Sequence, residues 1–120
     1  MYRKYNARKT EVDGIKFDSK MESDRYLQLK QMQEEGIISN LQLQVPIEIL
    51  PKFKKYRALR YIADFVYILD GVEVVEDVKG FKTDVYQIKK RLLDQLKGIE
   101  LNEYTKERKG KRSKSQKEAK

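Results

Sequence analysis

The 120-residue sequence contains neither cysteine nor histidine. Without cysteine there is no disulfide framework, no thiolate zinc site and no cysteine nucleophile. Without histidine, Ser-His triads, histidine general bases and histidine-metal nuclease motifs are excluded as well. Any chemistry must rest on carboxylates, lysines, tyrosines and a hard metal ion. Long apolar runs are also missing. None approaches the roughly 20 residues of a membrane span, and no apolar stretch of the signal-peptide kind follows the basic N-terminus. The expectation is a cytoplasmic protein with no membrane partner.

What the sequence has in excess is charge. Charged residues make up 38% of it against 39% hydrophobic, with a net charge of +8 and a pI of about 9.5. Such a balance points to a polyanionic partner. The excess is unevenly placed. Thr105 to Lys120 carries eight Lys or Arg against Glu107 and Glu118, a net of +6, which leaves about +2 for the first 104 residues. The basic tail therefore supports nucleic-acid binding without identifying a fold.

Residues 1–13 are basic, carry Tyr2 and Tyr5 and show no periodicity, so they read as an arm. Val12-Asp13-Gly14-Ile15 predicts a turn, with Ile15 and Phe17 in a short strand. A helix fits Ser19 to about Glu35, stopped by Gly36. Alternating Leu41, Leu43, Val45 and Ile47 predict a strand over Ile37 to Leu50, closed by Pro51. Lys52-Phe53-Lys54-Lys55-Tyr56-Arg57 is a basic aromatic loop. Leu59 to Leu69 and Val72 to Lys79 form a hairpin about Asp70-Gly71, a pair that favours a two-residue type I′ turn. Val85, Ile88, Leu92 and Leu96 set the inner stripe of a helix from about Thr83 to Lys97, and Ile99 to Tyr104 is a last short strand. The rest, 105–120, is low-complexity and basic, and disorder is expected there. The order α-β-β-β-α-β makes residues 14–104 one α/β domain with a mixed four-stranded sheet flanked by two helices.

The hairpin carries a geometric consequence. With Leu69 facing Val72, counting back rung by rung sets Asp64 opposite Asp77 and Ile62 opposite Lys79. Opposed side chains share a face, with Cβ atoms roughly 4.5–5.5 Å apart. Two carboxylates so placed repel unless something compensates, and a divalent cation such as Mg²⁺ does so with one or two carboxylates plus water and phosphate oxygens. Alternation adds Lys79 to the face of Asp77, among Ile62, Val66 and Val75. Glu22 shares a helix stripe with Tyr26 and Leu29, aimed at the sheet. Ser19-x-x-Glu22 is equally a capping box, in which Glu22 bonds back to the cap.

The series Ser19-Lys20-Met21-Glu22, Tyr61-Ile62-Ala63-Asp64-Phe65 and Glu76-Asp77-Val78-Lys79-Gly80-Phe81-Lys82-Thr83 resembles a phage-encoded nuclease family of the PD-(D/E)XK superfamily. The resemblance runs from about Lys4 to Tyr104. It implies a restriction-endonuclease-like core and Mg²⁺-dependent hydrolysis of DNA phosphodiester bonds, with Mn²⁺ as a substitute. Asp64 would be the metal-ligating acid of the second core strand, Asp77 the acid and Lys79 the lysine of the (D/E)XK element, and Glu22 the helix glutamate and an outer metal ligand. Ala63 stands where the superfamily name has proline. The resemblance also implies branched DNA as substrate, in the manner of Holliday junction resolvases, and hence a homodimer in the cytoplasm of a bacterial host. The alternatives are a nicking or flap nuclease of phage replication or packaging, and an accessory protein that binds DNA without turnover.

The remaining candidates are DNA contacts. Lys52, Lys54, Lys55 and Arg57 in the loop are solvated charge by default, and in a nuclease they, with Lys82, Lys89 and Lys90 around the second helix, become phosphate contacts. Lys89 is equally readable as a lysine whose aliphatic stem covers the core. Gln44, polar within an apolar strand, would hold a metal-ligating carboxylate in place or simply face solvent at a sheet edge.

Overall fold

Turn chemistry sets the entry to the domain. In the computed structural model, which describes residues 9–105, Asp13 (φ 56°) and Gly14 (φ 76°) both take the left-handed conformation that a type I′ turn requires. They join strands β1 (Thr10–Val12) and β2 (Ile15–Phe17) into an antiparallel hairpin. The expected arm over 1–13 is therefore corrected at its end: Thr10 to Val12 pair with β2, and the ordered unit starts before Gly14. Tyr2, Tyr5 and the tail over 106–120 lie outside the described residues.

Ser19 caps helix α1 (Lys20–Glu34), its hydroxyl accepting from the Glu22 amide at 3.1 Å. Gly36, at φ 81°, ends it. Glu22, Ser23, Tyr26 and Leu29 form the buried stripe. The β1–β2 hairpin packs on this helix through Phe17 and Tyr26, with Tyr26 and Lys30 both donating to the Asp13 carboxylate at 2.9 and 2.7 Å.

Strands β3 (Ile38–Leu50), β4 (Leu59–Leu69), β5 (Val72–Val78) and β6 (Asn102–Tyr104) form one sheet in that order. The first three run antiparallel and β6 parallel to β5, so the sheet is mixed as expected. Asp70 (φ 54°) and Gly71 (φ 77°) form the two-residue turn, and Leu69 faces Val72.

Thr83 caps α2 (Asp84–Leu92), which continues through a π-helical turn, Leu93–Lys97, stopped by Gly98 at φ 68°. Here the sequence-based stripe is wrong. Val85, Ile88 and Leu96 are more than half exposed, while Tyr86 and Leu93 are buried. The two candidate stripes differ by one residue, about 100° around the helix. Large Tyr86 and Leu93 fill the space under the sheet, which turns the aliphatic stripe outward.

Two apolar layers lie on opposite sides of the sheet. One joins Phe17, Tyr26, Leu29, Ile38, Phe65 and Tyr67 beneath α1. The other joins Ile49, Tyr61, Ala63, Val66, Val75, Tyr86, Leu93 and Leu101 beneath α2. A buried ion pair pins α1 to the sheet, with Arg25 Nε and Nη2 donating to both oxygens of fully buried Glu76 at 2.7 and 3.0 Å. Tyr67 also donates to Glu76 at 2.6 Å, and the Tyr104 ring lies 4.2 Å from the guanidinium carbon.

Candidate active site

The site forms where β3 and β4 change faces. Leu41 and Leu43 pack on the α1 side, but Val45, Ile47 and Ile49 pack on the α2 side. In β4, Tyr61 and Ala63 belong to the α2 side and Phe65 and Tyr67 to the α1 side. Strict alternation would keep each odd-numbered series on one face. The rungs Leu43–Phe65 and Val45–Ala63 are paired, and between them stand Gln44 and Asp64. Gln44 has φ 50°, the left-handed region that a glutamine rarely enters. The crossing corrects the expectation that Asp64 shares one face with Ile62 and Val66. It also turns both polar residues toward Glu22.

Gln44 Nε2 donates to Glu22 Oε2 at 3.1 Å, so Gln44 does hold a carboxylate of the cluster. The Glu22 amide uses the Ser19 hydroxyl, as in a capping box, while its carboxyl serves the cluster. Burial, then the nearby Asp64 and Asp18 carboxylates, push Glu22 up to about 7. Asp64 thus lies close enough to Glu22 to disfavour its charge.

The two aspartates meet as the hairpin register requires. The backbone ladder stops at Phe65–Glu76, and the next rung is built from side chains. The Asp64 amide donates to Asp77 Oδ1 at 3.1 Å, and the Val78 amide donates to Asp64 Oδ2 at 2.9 Å. Burial raises both carboxyls above the ordinary range, against the opposing pull of Lys79. Asp77 Oδ2 is buried without a hydrogen bond, since Lys79 Nζ stands 3.7 Å away. A buried anionic oxygen left so is costly, and a cation beside Asp64 and Asp77 would satisfy it. Among the described residues, however, no three carboxylates converge closely enough to hold an ion alone. Glu22, Asp64 and Asp77 thus form a chain of acids rather than a preformed three-ligand cage. That suits Mg²⁺, which keeps waters and takes phosphate oxygens beside one or two carboxylates.

Lys79 is set by residues that sequence reasoning passed over. Its Nζ lies 4.4 Å from the centre of the Tyr86 ring. Tyr86 donates its hydroxyl to Glu103 at 2.5 Å, and burial and Glu103 together push the phenol pKa up. Burial alone would raise Glu103. Hydrogen bonds from Tyr86, Lys82 and Lys90 outweigh it and hold the carboxyl down at about 2. Glu103 was legible as the one acid between Leu101 and Tyr104 of the last strand. Tyr86 was hidden by the competing aliphatic stripe.

The expected phosphate contacts divide into two groups. Lys82 and Lys90 are each 3.0 Å from Glu103, so much of their charge is spent inside the protein. Lys89 donates to the Arg60 carbonyl at 3.0 Å and keeps its full charge at the surface. Lys52, Lys54, Lys55 and Arg57 are exposed on a loop closed by paired Phe53 and Tyr56. That loop begins beyond Leu59, about 17 Å along β4 from Asp64, and is not part of the acid cluster.

Among the described residues no helix is long and apolar enough to cross a membrane. Searches of curated proteins and of solved structures return no match. A family model described as "Protein of unknown function (DUF1064)" matches residues 2–117. With nearly the whole chain covered, the protein belongs to that family.

Proposed function

We propose that the protein is a Mg²⁺-dependent DNA endonuclease of the PD-(D/E)XK type, acting on branched DNA. The observation that carries this reading is the buried Asp64–Asp77 pair, with Asp77 Oδ2 ion-paired to Lys79 at 3.7 Å but without a hydrogen bond. Besides completing a rung of the sheet, the two acids are buried together at a cost, a placement characteristic of functional sites. The mixed sheet flanked by two helices agrees with a restriction-endonuclease-like core. Asp64 and Asp77 would hold Mg²⁺, which supplies an activated water and stabilises charge on the phosphate. Lys79 orients that water or offsets charge growing on the phosphoryl oxygens. Tyr86 and Glu103 keep the ammonium at its station, and Glu22, partly protonated near neutrality, stands beside Asp64. No imidazole is present to take protons, so these groups and solvent must do so.

The test is cleavage of a labelled four-way junction and its linear arms with Mg²⁺, or Mn²⁺, against Asp77→Ala. Junction-selective cutting that falls more than about a hundredfold in the variant supports the proposal. Equal cutting of both DNAs keeps the nuclease and removes the branch preference. Binding without cutting in either metal favours an accessory protein. Paired cuts across a junction need two copies of this one-site chain, so light scattering should find a homodimer, at least on DNA.

A further inference from the structure

Beside the acids lies a cleft of about 550 Å³ whose wall includes Lys79. We propose that this cleft seats one unstacked nucleotide of the bound DNA strand, next to the phosphate at Lys79. The proposal rests on the nuclease reading for that phosphate, and on the cleft alone for the nucleotide. Its aliphatic wall is Pro46, Ile62 and Val85, and its other cations are Arg60 and Lys89. Ile62 is 55% and Val85 61% exposed, an unusual placement for an isoleucine inside a long strand and a valine on a helix that packs on the sheet. Pro46 and Ile62 are cross-strand partners, so two strands and α2 build the wall.

Charge decides what this wall accepts. Three cations line the cleft and no carboxylate does. A protein surface laid there would have to set carboxylates against both Arg60 and Lys89 to offset the water it strips from them. A DNA strand brings both parts, an apolar base or sugar for the wall and a phosphate for each rim cation. Lys89 is held at the rim by the Arg60 carbonyl, a contact that fixes its place and leaves its charge intact. The volume falls within the roughly 300–1,000 Å³ of small-molecule sites. Pro46, Ile62 and Val85 offer no hydrogen bonds to a base edge, so this aliphatic part of the wall accepts any base. A duplex hides its bases, whereas a branch point exposes them. The preference for branched DNA then has a physical seat on this chain.

The experiment uses the full chain and a four-way junction carrying a fluorescent adenine analogue at each branch nucleotide in turn, with metal chelated. Emission should rise on binding at one position as the base leaves its stack. Ile62→Ser and Val85→Ser should each return it toward the free-DNA level. Each should also weaken binding by roughly tenfold, the worth of one buried aliphatic side chain. Both positions are exposed, so both variants should melt like the native protein. Lys89→Gln should flatten the slope of log affinity against log salt by roughly 0.7–0.9. Cutting in Mg²⁺ with no emission change at any position overturns the cleft and leaves the nuclease standing. An emission rise that depends on Ile62, without cutting, supports the cleft and overturns the nuclease. If Ile62→Ser leaves binding and emission alone but splits a dimer, the wall is a contact between copies and the proposal fails.

Discussion

At neutral pH Glu22 is only partly ionised, where a solvent-facing glutamate is fully so, because burial and Asp64 disfavour its charge. Its folded-state value, about 7, lies above the ordinary 4.5. The stability it contributes is therefore full below about 4.5 and is lost as pH rises through about 7. Thermal melts across that window should show the native protein losing on the order of 2–3 kcal/mol that Glu22→Gln does not lose. A Glu22→Gln curve as steep as the native one would refute the raised Glu22 carboxyl. Raised Asp64 and Asp77 act in the same direction, so Mg²⁺ should raise the native melting temperature most above pH 7, and that of Asp77→Ala little. Asp64 stood out at this scale, because an acid in an apolar strand has few innocent reasons to be there, and the hairpin register drew in Asp77 as its opposite. The left-handed backbone of Gln44 was not legible, since no glycine or asparagine marks it.

At the scale of elements, α1 reaches the sheet through Arg25 and Glu76, far apart in sequence and joined by two hydrogen bonds. Arg25→Met should cost roughly 3–5 kcal/mol in denaturant unfolding, because it strands a fully buried carboxylate. Lys30→Ala, which loses a half-exposed pair with Asp13, should cost under about 1 kcal/mol. Equal losses would mean that Arg25 anchors nothing beyond its own packing. The β4–β5 hairpin was the element best read from sequence, because Asp-Gly dictates its turn and the turn dictates its register. The short β1–β2 hairpin was only half seen, since Asp13-Gly14 marked the turn while Thr10 to Val12 offers too few residues to show alternation. In α2, two stripes one residue apart competed, and bulk rather than aliphatic count chose the buried one.

For the whole molecule, charge and architecture are separable. The tail from Thr105 carries +6 of the net +8, yet the acid cluster lies within residues 22–79. Removing 105–120 should weaken DNA binding and flatten its salt dependence, while Mg²⁺-dependent cutting survives at low salt. Loss of cutting at every salt concentration would place catalytic parts in the tail. The α/β class and mixed sheet followed from the order of elements. The crossing of β3 and β4 between faces did not, because it depends on where α1 and α2 press on opposite sides.

That crossing also bears on how the protein stays apart from its own kind. Strand β3 has 13 residues and, among those described, no neighbour on its outer side. A long open edge of this sort is a template on which other chains can aggregate. Left-handed residues at Asn40 and Gln44, with Pro46 close behind, break the regular course of this edge strand. The backbone departure that brings Gln44 to Glu22 thus also spoils the edge as a surface for fibril growth.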